Sequence, residues 1–178
     1  MVEHKPQTVE LAVDPAVMPE ELSLLHAYWA GLCSSAGPPD WGGAAGKGFR
    51  LVDLPSTVLP LMTVVDVGPA DTDFVYRYWG SNRSLFLGGR PDPTGRTIVE
   101  GLHPVNALNV LNQYKDVCRR AQPVLLKNVW FLDNGLSAEC QTLRLPLRGG
   151  GAEIAKIVAA TVFIRHADAF RQVREDLA

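Results

Sequence analysis

The chain is poor in the residues that form disulfides and metal centres, since its 178 residues include three cysteines and four histidines. Cys33, Cys118 and Cys140 are odd in number and far apart in sequence, which favours reduced, mostly buried thiols over a disulfide framework. No CxxC or HxxxH spacing occurs among these residues. The sequence therefore predicts no metal site.

Long apolar runs and runs of like charge are also missing. No stretch approaches the roughly 18 to 20 apolar residues of a membrane helix, and residues 1–14 lack the apolar run of a signal peptide. We therefore expect a cytoplasmic protein without a membrane partner. The 17 Lys and Arg residues are scattered among 19 acidic ones, and the formal net charge is -2. Because nucleic-acid binding usually needs a basic patch, we expect no DNA or RNA partner.

Catalytic motifs are the third absence. The sequence has no GxSxG nucleophile motif, no glycine-rich phosphate loop and no recognisable Cys–His arrangement. The glycines at 88–89 and 149–151 are typical of turns. We therefore expect a protein that is not an enzyme and has no catalytic residues.

What is present indicates one folded core, with 47% hydrophobic and 20% charged residues. After Pro19, an apolar stripe at three- and four-residue steps predicts a helix, formed by Leu22, Leu25, Trp29 and Leu32. Residues 37–48 then hold five glycines and two prolines. This composition indicates a long loop or a flexible tether between the helix and the core.

Five segments have the short, β-branched or aromatic composition of strands. Two come early and form a predicted hairpin, Met62–Val67 and Phe74–Trp79. Three come late and are separated by the hairpin signals Asp133-Asn134-Gly135 and Gly149–Gly151; they are Val124–Leu132, Ala138–Leu147 and Ile154–Ile164.

Helical patterns lie between and after these strands. Residues 82–101 predict short helical turns, and a helix begins near Pro104 and runs to about Arg120 with Tyr114 on its apolar stripe. The pattern at Ala167–Leu177 predicts a short terminal helix.

The order of these elements contains no alternating βα units and therefore no parallel sheet. It predicts an α+β fold, a five-stranded antiparallel sheet with helices over one face and an N-terminal helix. We divide the chain into the N-terminal helix and Gly/Pro-rich loop (1–48), the core (49–166) and the C-terminal helix (167–178).

Several short motifs sharpen this prediction, and each stands in order along the chain: Tyr28-Trp29, Asp53, Leu59-Pro60, Val64-Val65-Asp66-Val67, the run Tyr76 to Ser81, and Thr94-Gly95-Arg96. Together they resemble the bacterial PAS family found mainly in alphaproteobacteria, over about Leu25 to Ile164. Two features depart from that family: the segment between Trp29 and Asp53 is longer and richer in glycine, and Ser81 stands where threonine is common.

The PAS resemblance implies a sheet curled around an internal cavity and a stand-alone sensor or adaptor in bacterial signal transduction. Such a protein binds a small molecule, a protein partner or both, and we expect a homodimer. The stripe of Leu22, Leu25 and Trp29 can pack either on a second copy or on the chain's own sheet. A further reading is a dimerisation module whose cavity is filled by side chains.

The strand Phe74–Trp79 supplies the first site candidates. Alternation at period two places Tyr76 and Tyr78 on one face and Arg77 on the other. The tyrosine hydroxyls can bind a ligand in an apolar cavity or belong to an aromatic core. Arg77 resembles a recurrent family arginine, and if buried it needs an anion, either Asp53 or Asp66 or a ligand's acid group.

The helical region supplies the others. The resemblance implies that His103 stands where haem-binding PAS proteins place an iron ligand, although a histidine before a proline is also typical of a cap or a surface position. Residues 80–84 include Asn82 but no thiol, which disfavours light sensing through a cysteinyl flavin adduct. The cofactor, if any, is left unknown. The candidate ligand-binding set is Tyr76, Arg77, Tyr78, Asn82, His103 and Tyr114, between the Tyr76–Trp79 strand and the helix that bears Tyr114.

The alternative to a sensor is a cone-shaped α+β enzyme or carrier of the ketosteroid-isomerase type. Such an enzyme needs a carboxylate inside an apolar cavity, and Asp66 is the candidate for it. Its strands would normally follow two or more leading helices, whereas here a hairpin precedes the main helix.

Overall fold

The computed structural model describes residues 7–44, 46–69, 73–87, 90–102, 104–131 and 137–165. The strands are β1 Gln7–Leu11, β2 Met62–Val67, β3 Phe74–Trp79, β4 Val124–Phe131, β5 Ser137–Arg148 and β6 Ile154–Arg165. The α-helices are α1 Glu20–Leu32, α2 Ile98–Gly101 and α3 Pro104–Arg120, and short 3-10 helices are Leu51–Asp53, Leu59–Leu61 and Ser81–Leu87. The predicted terminal helix 167–178, the Asp133–Gly135 turn and His103 lie outside the described residues.

All six strands form one antiparallel sheet in the order β1-β4-β5-β6-β2-β3. The five predicted strands are neighbours within it, and two strands, a helical middle and three strands follow one another as in the PAS fold. The predicted fold class is therefore confirmed. Among the described residues, none of the helices has the length and apolar character required to cross a bilayer.

The sixth strand, β1, is an addition to the prediction. It pairs with β4 at the sheet edge, with Gln7 opposite Val129 and Leu11 opposite Leu125. The alternation of apolar and polar residues in this segment is too weak to predict a strand. Contacts with distant residues hold β1 in place. One such contact is the pair of hydrogen bonds that Arg120, at the end of α3, donates to the Glu10 carboxylate at 2.5 and 2.9 Å.

Helix α1 covers one face of the sheet. Glu20 and Glu21 lie in its first turn, where a carboxylate is favourable to the helix dipole. Leu22, Leu25 and Trp29 are buried in one apolar cluster with the alternate β5 residues Leu143, Leu145 and Leu147. The Trp29 indole Nε1 donates a buried hydrogen bond of 2.8 Å to the Pro146 carbonyl. The stripe therefore packs on the chain's own sheet, one of the two arrangements that the sequence left open.

The glycine-rich segment after α1 is joined to the end of β5 by backbone hydrogen bonds. The Trp41 amide donates to the Arg148 carbonyl at 2.9 Å, and the Arg148 amide donates to the Pro39 carbonyl at 2.9 Å. A Cβ on Gly48 would lie 1.8 Å from the Gly42 carbonyl oxygen, so only glycine allows this close approach. Although its described residues form no helix or strand, the segment is held against the sheet.

Helices α2 and α3 and the 3-10 helix Ser81–Leu87 cover the opposite face. A second apolar cluster there joins the α3 residues Leu111, Tyr114 and Val117 to Val65, Phe74 and Tyr76. Helix α2 is fixed at its start by a capping box, in which Thr97 and Glu100 satisfy each other's backbone amides. The sheet thus has an α1 face and an α3 face.

Strand β3 departs from the alternation that its sequence suggests. Val64 pairs with Tyr78 but Val65 pairs with Tyr76, so Arg77 is an extra residue in a β-bulge. Beyond the bulge the faces exchange: Trp79 joins Phe74 and Tyr76 in the α3-face cluster, whereas Tyr78 packs against the α1-face cluster. The prediction that Tyr76 and Tyr78 share a face is therefore wrong.

Candidate ligand-binding site

A cavity of about 50 Å³ lies on the α3 face of the sheet. It is bounded by side chains from β3, the Ser81–Leu87 helix, the end of α2, α3, β4, β5 and β6. These side chains are Tyr76, Trp79, Arg83, Leu102, Asn106, Asn109, Val110, Gln113, Tyr114, Asn128, Cys140, Thr142, Arg144 and Thr161. Such a volume holds about three to five water molecules. The cavity lies where the sequence placed the site, between the Tyr76–Trp79 strand and the helix that bears Tyr114.

The sheet forms one wall of the cavity through strand alternation. On β5 the leucines at 143 and 145 point to the α1 face, so Thr142 and Arg144 face α3. Thr161 on β6 pairs directly with Thr142, and their hydroxyl oxygens are 2.9 Å apart. This wall is therefore polar although both strands are apolar on their other face.

Helix α3 forms the opposite wall. Its cavity-lining residues lie on one side of the helix because they are spaced by three or four residues or are neighbours; they are Asn106, Val110, Gln113 and Tyr114. The Tyr114 hydroxyl lies 3.3 Å from the Thr63 hydroxyl of β2, in a buried contact. This bond fixes the tyrosine at the base of the cavity.

Arg144 is the most deeply enclosed charge of the site, with 4% of the residue exposed. Its guanidinium stacks over the Tyr114 ring, 4.2 Å from the ring centroid, and Nη2 donates to the Gln113 Oε1 at 2.6 Å. Within the described ranges, Nε and Nη1 have no hydrogen-bond partner, and no acidic side chain forms a salt bridge with Arg144. A cation is thus buried without a counter-charge among these residues.

Arg83 places a second cation in the wall. It donates from Nη1 to the Thr161 hydroxyl and lies over the Trp79 ring, 5.0 Å from the centroid. Burial lowers the pKa of the Arg83 guanidinium, and the positive charge of Arg144 acts in the same direction. An arginine stays protonated in proteins, so the lowered pKa mainly reflects the cost of removing this cation from water.

Tyr76 supplies a neutral hydroxyl. Burial raises the pKa of its phenol, and the neighbouring Tyr114 adds to that effect. The hydroxyl therefore stays protonated and can donate a hydrogen bond at neutral pH. Its ring meets Trp79 edge to face, with centroids 5.0 Å apart.

The cavity contains two of the six predicted site residues, Tyr76 and Tyr114. Tyr78 lies on the other face because of the bulge, and its hydroxyl donates to the Leu59 carbonyl at 3.0 Å. Asn82 is exposed and does not line the cavity. The side chain of Arg77 is 60% exposed and pairs with Asp66, one of the two carboxylates proposed from the sequence. His103 lies outside the described residues.

Asp66 is an ion-pair partner and not a cavity carboxylate. It is on β2, one residue after Val65 of the α3-face cluster, and therefore points to the opposite face. Burial alone would raise its pKa, but hydrogen bonds from Lys156 and Arg77 outweigh that effect, so the pKa of Asp66 lies below its ordinary value. The carboxylate required by the ketosteroid-isomerase alternative is therefore not supplied by this residue.

Arg83, Arg144 and the polar groups around them line the cavity but were not among the residues predicted from the sequence. The signal was present in β5, where Cys140, Thr142 and Arg144 alternate with Leu143, Leu145 and Leu147. A strand covered by helices on both faces would carry apolar residues at all these positions. Polar side chains on one such face indicate a lined cavity rather than a packed core.

Neither a metal nor a large prosthetic group fits these residues. Among the described residues, no group of three or more His, Cys, Asp or Glu side chains could hold a metal ion. The space for about three to five water molecules is also far smaller than a flavin or a haem. The cavity suits a much smaller molecule.

The order of elements gives an α+β fold of the PAS-like class, with a small polar cavity on the α3 face of the sheet. No protein-family model matches the chain, and no curated protein matches its sequence. Among solved structures, the chain is similar to an RNA-binding Light-Oxygen-Voltage receptor at 15% identity and a TM-score of 0.41, over 97% of this chain and 42% of that one. It thus spans less than half the length of that receptor.

Two further structures cover most of their own length in the comparison. The light state of the blue-light photoreceptor Aureochrome1 LOV is 12% identical with a TM-score of 0.44, over 72% of this chain and 98% of that one. A sensory box histidine kinase/response regulator from Burkholderia thailandensis E264 is 20% identical with a TM-score of 0.34, over 66% and 91%. At these identities and TM-scores the likeness carries nothing about function, and the fold class rests on the order of elements described above.

Proposed function

We propose that this chain is a cytoplasmic PAS-type sensor or adaptor of bacterial signal transduction that binds a small molecule and catalyses no reaction. The observation that supports it is the cavity on the α3 face, whose walls carry two arginines, several amides and two tyrosines. In ligand sites a few convergent polar groups fix the orientation and the specificity of the bound molecule.

The surroundings of the cavity offer a way to report its occupancy. Asn109 of α3 donates to the Thr8 hydroxyl at 3.2 Å, and that hydroxyl donates to the Asn128 Oδ1 at 2.9 Å. Both amides line the cavity, while Thr8 belongs to the edge strand β1. A ligand that rearranges these amides would shift α3 relative to β1, and a signal arises if the two arrangements bind it with different affinity.

The protein that reads this signal would contact the surface near β1 and the start of α3. This part of the proposal rests on the resemblance and on the hydrogen-bonded chain from the cavity to the edge strand. An edge strand with open backbone groups is also a common place for a second protein to bind.

A thermal-shift screen with a panel of small metabolites tests the proposed binding. We expect at least one compound to raise the melting temperature of the wild-type protein, since a ligand that binds the folded state stabilises it by mass action. Val110→Phe places a larger side chain in the cavity wall and should abolish that rise. Leu108→Phe adds the same side chain two residues away on the exposed side of α3 and should preserve it.

Three results would count against the proposal: no compound stabilises the wild type, stabilisation persists in Val110→Phe, or it is lost equally in Leu108→Phe. Cooperative unfolding of each variant, followed by circular dichroism, shows that the substitution leaves the fold intact.

A further inference from the structure

The buried charge of Arg144 indicates the chemical class of the ligand. Arg144 is buried, and no salt bridge to it is formed by an acid of the described residues. The described residues that line the cavity include Arg83 as well but no Asp or Glu. Removing a cation from water without a nearby anion is costly. A negatively charged ligand would remove this cost on binding.

The hydrogen-bonding capacity of Arg144 also favours a negatively charged ligand. A guanidinium has five N–H donors and no acceptor. One of its nitrogens, Nη2, donates to Gln113, while Nε and Nη1 are buried without a partner among the described residues. The guanidinium carbon lies over the Tyr114 ring, 4.2 Å from its centroid, which limits the movement of the group. A planar guanidinium with spare donors is the side chain that proteins commonly use for carboxylates and similar oxyanions.

The polar neighbours add further donors. Tyr76 keeps its proton at neutral pH, and the amides of Asn106 and Gln113 line the same space. The Thr142 and Thr161 hydroxyls face it from the sheet. Leu102 and Val110 provide apolar surface on the helical side. An anion with one charged end and a small apolar remainder matches this distribution.

The volume limits the size of the anion. About 50 Å³ holds about three to five water molecules, and formate, acetate and nitrate each have three or four non-hydrogen atoms. Larger dicarboxylates, nucleotides and flavins exceed that number. The cavity therefore selects small oxyanions by size as well as by charge.

We propose that the cavity binds a small planar oxyanion of the carboxylate class, held by the guanidinium of Arg144 with Arg83 contributing positive charge. This inference rests on the proposed ligand-binding function of the same cavity and specifies the kind of molecule that enters it. Carboxylates and inorganic oxyanions such as nitrate share the relevant chemistry, and the experiment separates them.

The test is a titration followed by thermal unfolding and by calorimetry, with sodium acetate, sodium formate and sodium nitrate against sodium chloride at the same ionic strength. Acetamide is the matched neutral probe, because it has the shape of acetate without the charge. We expect saturable stabilisation by acetate or formate, less by nitrate, and none by acetamide or by chloride beyond the common effect of salt.

Arg144→Gln removes the charge and should weaken acetate binding by at least about tenfold. Arg119→Gln makes the same change of net charge on α3, where the side chain is 76% exposed, and should leave acetate binding unchanged. If Arg144→Gln fails to fold, Arg144→Lys keeps the positive charge but loses the planar donors, and it should bind acetate several-fold more weakly than the wild type does.

The outcomes separate this inference from the proposed function. If acetamide or another neutral compound stabilises the protein as well as acetate does, and Val110→Phe abolishes the effect, the cavity binds a ligand but the anion inference is wrong. Stabilisation by nitrate above that by acetate and formate would overturn the carboxylate class. Equal binding by wild type and Arg144→Gln would overturn the role of Arg144. If neither the anions nor any compound of the panel binds, both proposals fail.

Discussion

The two faces of the sheet differ in how their charged residues are paired, and Asp66 is the example on the α1 face. Its carboxylate accepts hydrogen bonds from Lys156 and Arg77 on the α1 side of the sheet edge, and its side chain is 23% exposed. On the other face, Arg83 and Arg144 line the cavity, where no acid of the described residues joins them. Asp66 thus has two cationic partners, whereas Nε and Nη1 of Arg144 have no hydrogen-bond partner among the described residues.

The two partners of Asp66 predict a pH-dependent contribution to stability. Because the pKa of Asp66 is lower in the folded protein than in the unfolded chain, the contribution is present above the unfolded pKa of about 4 and is lost as the pH falls through the folded pKa. We expect Asp66→Asn to lower the free energy of unfolding by about 1 kcal/mol at pH 7 and by progressively less below pH ~4. Urea unfolding across this range measures both.

Asp116→Asn is the matched control, since its pair with Arg119 is largely exposed and should contribute almost nothing at any pH. An Asp66→Asn effect that stays constant or grows as the solution is acidified would contradict the assigned pKa direction.

The position of a side chain could be predicted where the local pattern is regular. Tyr76 and Tyr114 both line the cavity, and the sequence placed them near each other because an aromatic strand and an apolar helical stripe come together in this order of elements; their role in binding stays a prediction. Tyr78 was misplaced because the bulge at Arg77 depends on pairing with β2 and has no local signal. The burial of Arg144 could not be predicted, because it depends on helices that cover both faces of β5.

Helix α1 is the element for which the sequence allowed two packing arrangements, one on a second copy and one on the chain's own sheet. Its apolar stripe packs on β5 and β6 of the same chain, and Trp29 adds a hydrogen bond to the Pro146 carbonyl. The surface that the sequence offered for a second copy is therefore covered here. A homodimer stays a prediction, and it would use another surface.

This packing predicts the effect of truncating the stripe. Leu25→Ala leaves a cavity between α1 and the sheet and should cost about 2 to 5 kcal/mol of unfolding free energy. Leu24→Ala changes the neighbouring leucine, which is 39% exposed, and should cost within about 0.5 kcal/mol. Urea denaturation at two widely separated protein concentrations gives both values.

The concentration series distinguishes the two arrangements of α1. If the stripe packs within one chain, the loss in Leu25→Ala is the same at both concentrations. A loss that depends on concentration, or equal losses for the two leucines, would mean that α1 packs on a second copy or does not pack as described.

The other elements differ in how well the local sequence predicts them. The helices α1 and α3 have periodic apolar patterns, and the five predicted strands have strand-like compositions; their predicted positions agree with the structure within the described residues. Strand β1 has five residues of mixed polarity, and its place depends on Thr8, Glu10 and their distant partners Asn128 and Arg120. Such an edge strand is specified by tertiary contacts that a local pattern does not contain.

The two faces of the sheet differ in polarity. One face is sealed by α1 with leucines and tryptophan, and the other carries polar side chains under α3. The overall arrangement followed from the order of elements, because antiparallel neighbours and a helical middle leave few alternatives. The polarity of the cavity did not follow, because it depends on which alternate residues of β5 and β6 face the helix.

The most direct test of the ligand-binding cavity is methyl NMR of the protein titrated with acetate at constant ionic strength. We expect the methyl resonances of Val110, Thr142 and Thr161, which line the cavity, to shift saturably. The resonances of Leu145 and Val158, on the opposite face of the same strands, should stay in place. Shifts centred on Leu145 and Val158, or no saturable shift at any methyl group, would contradict a binding site between the sheet and α3.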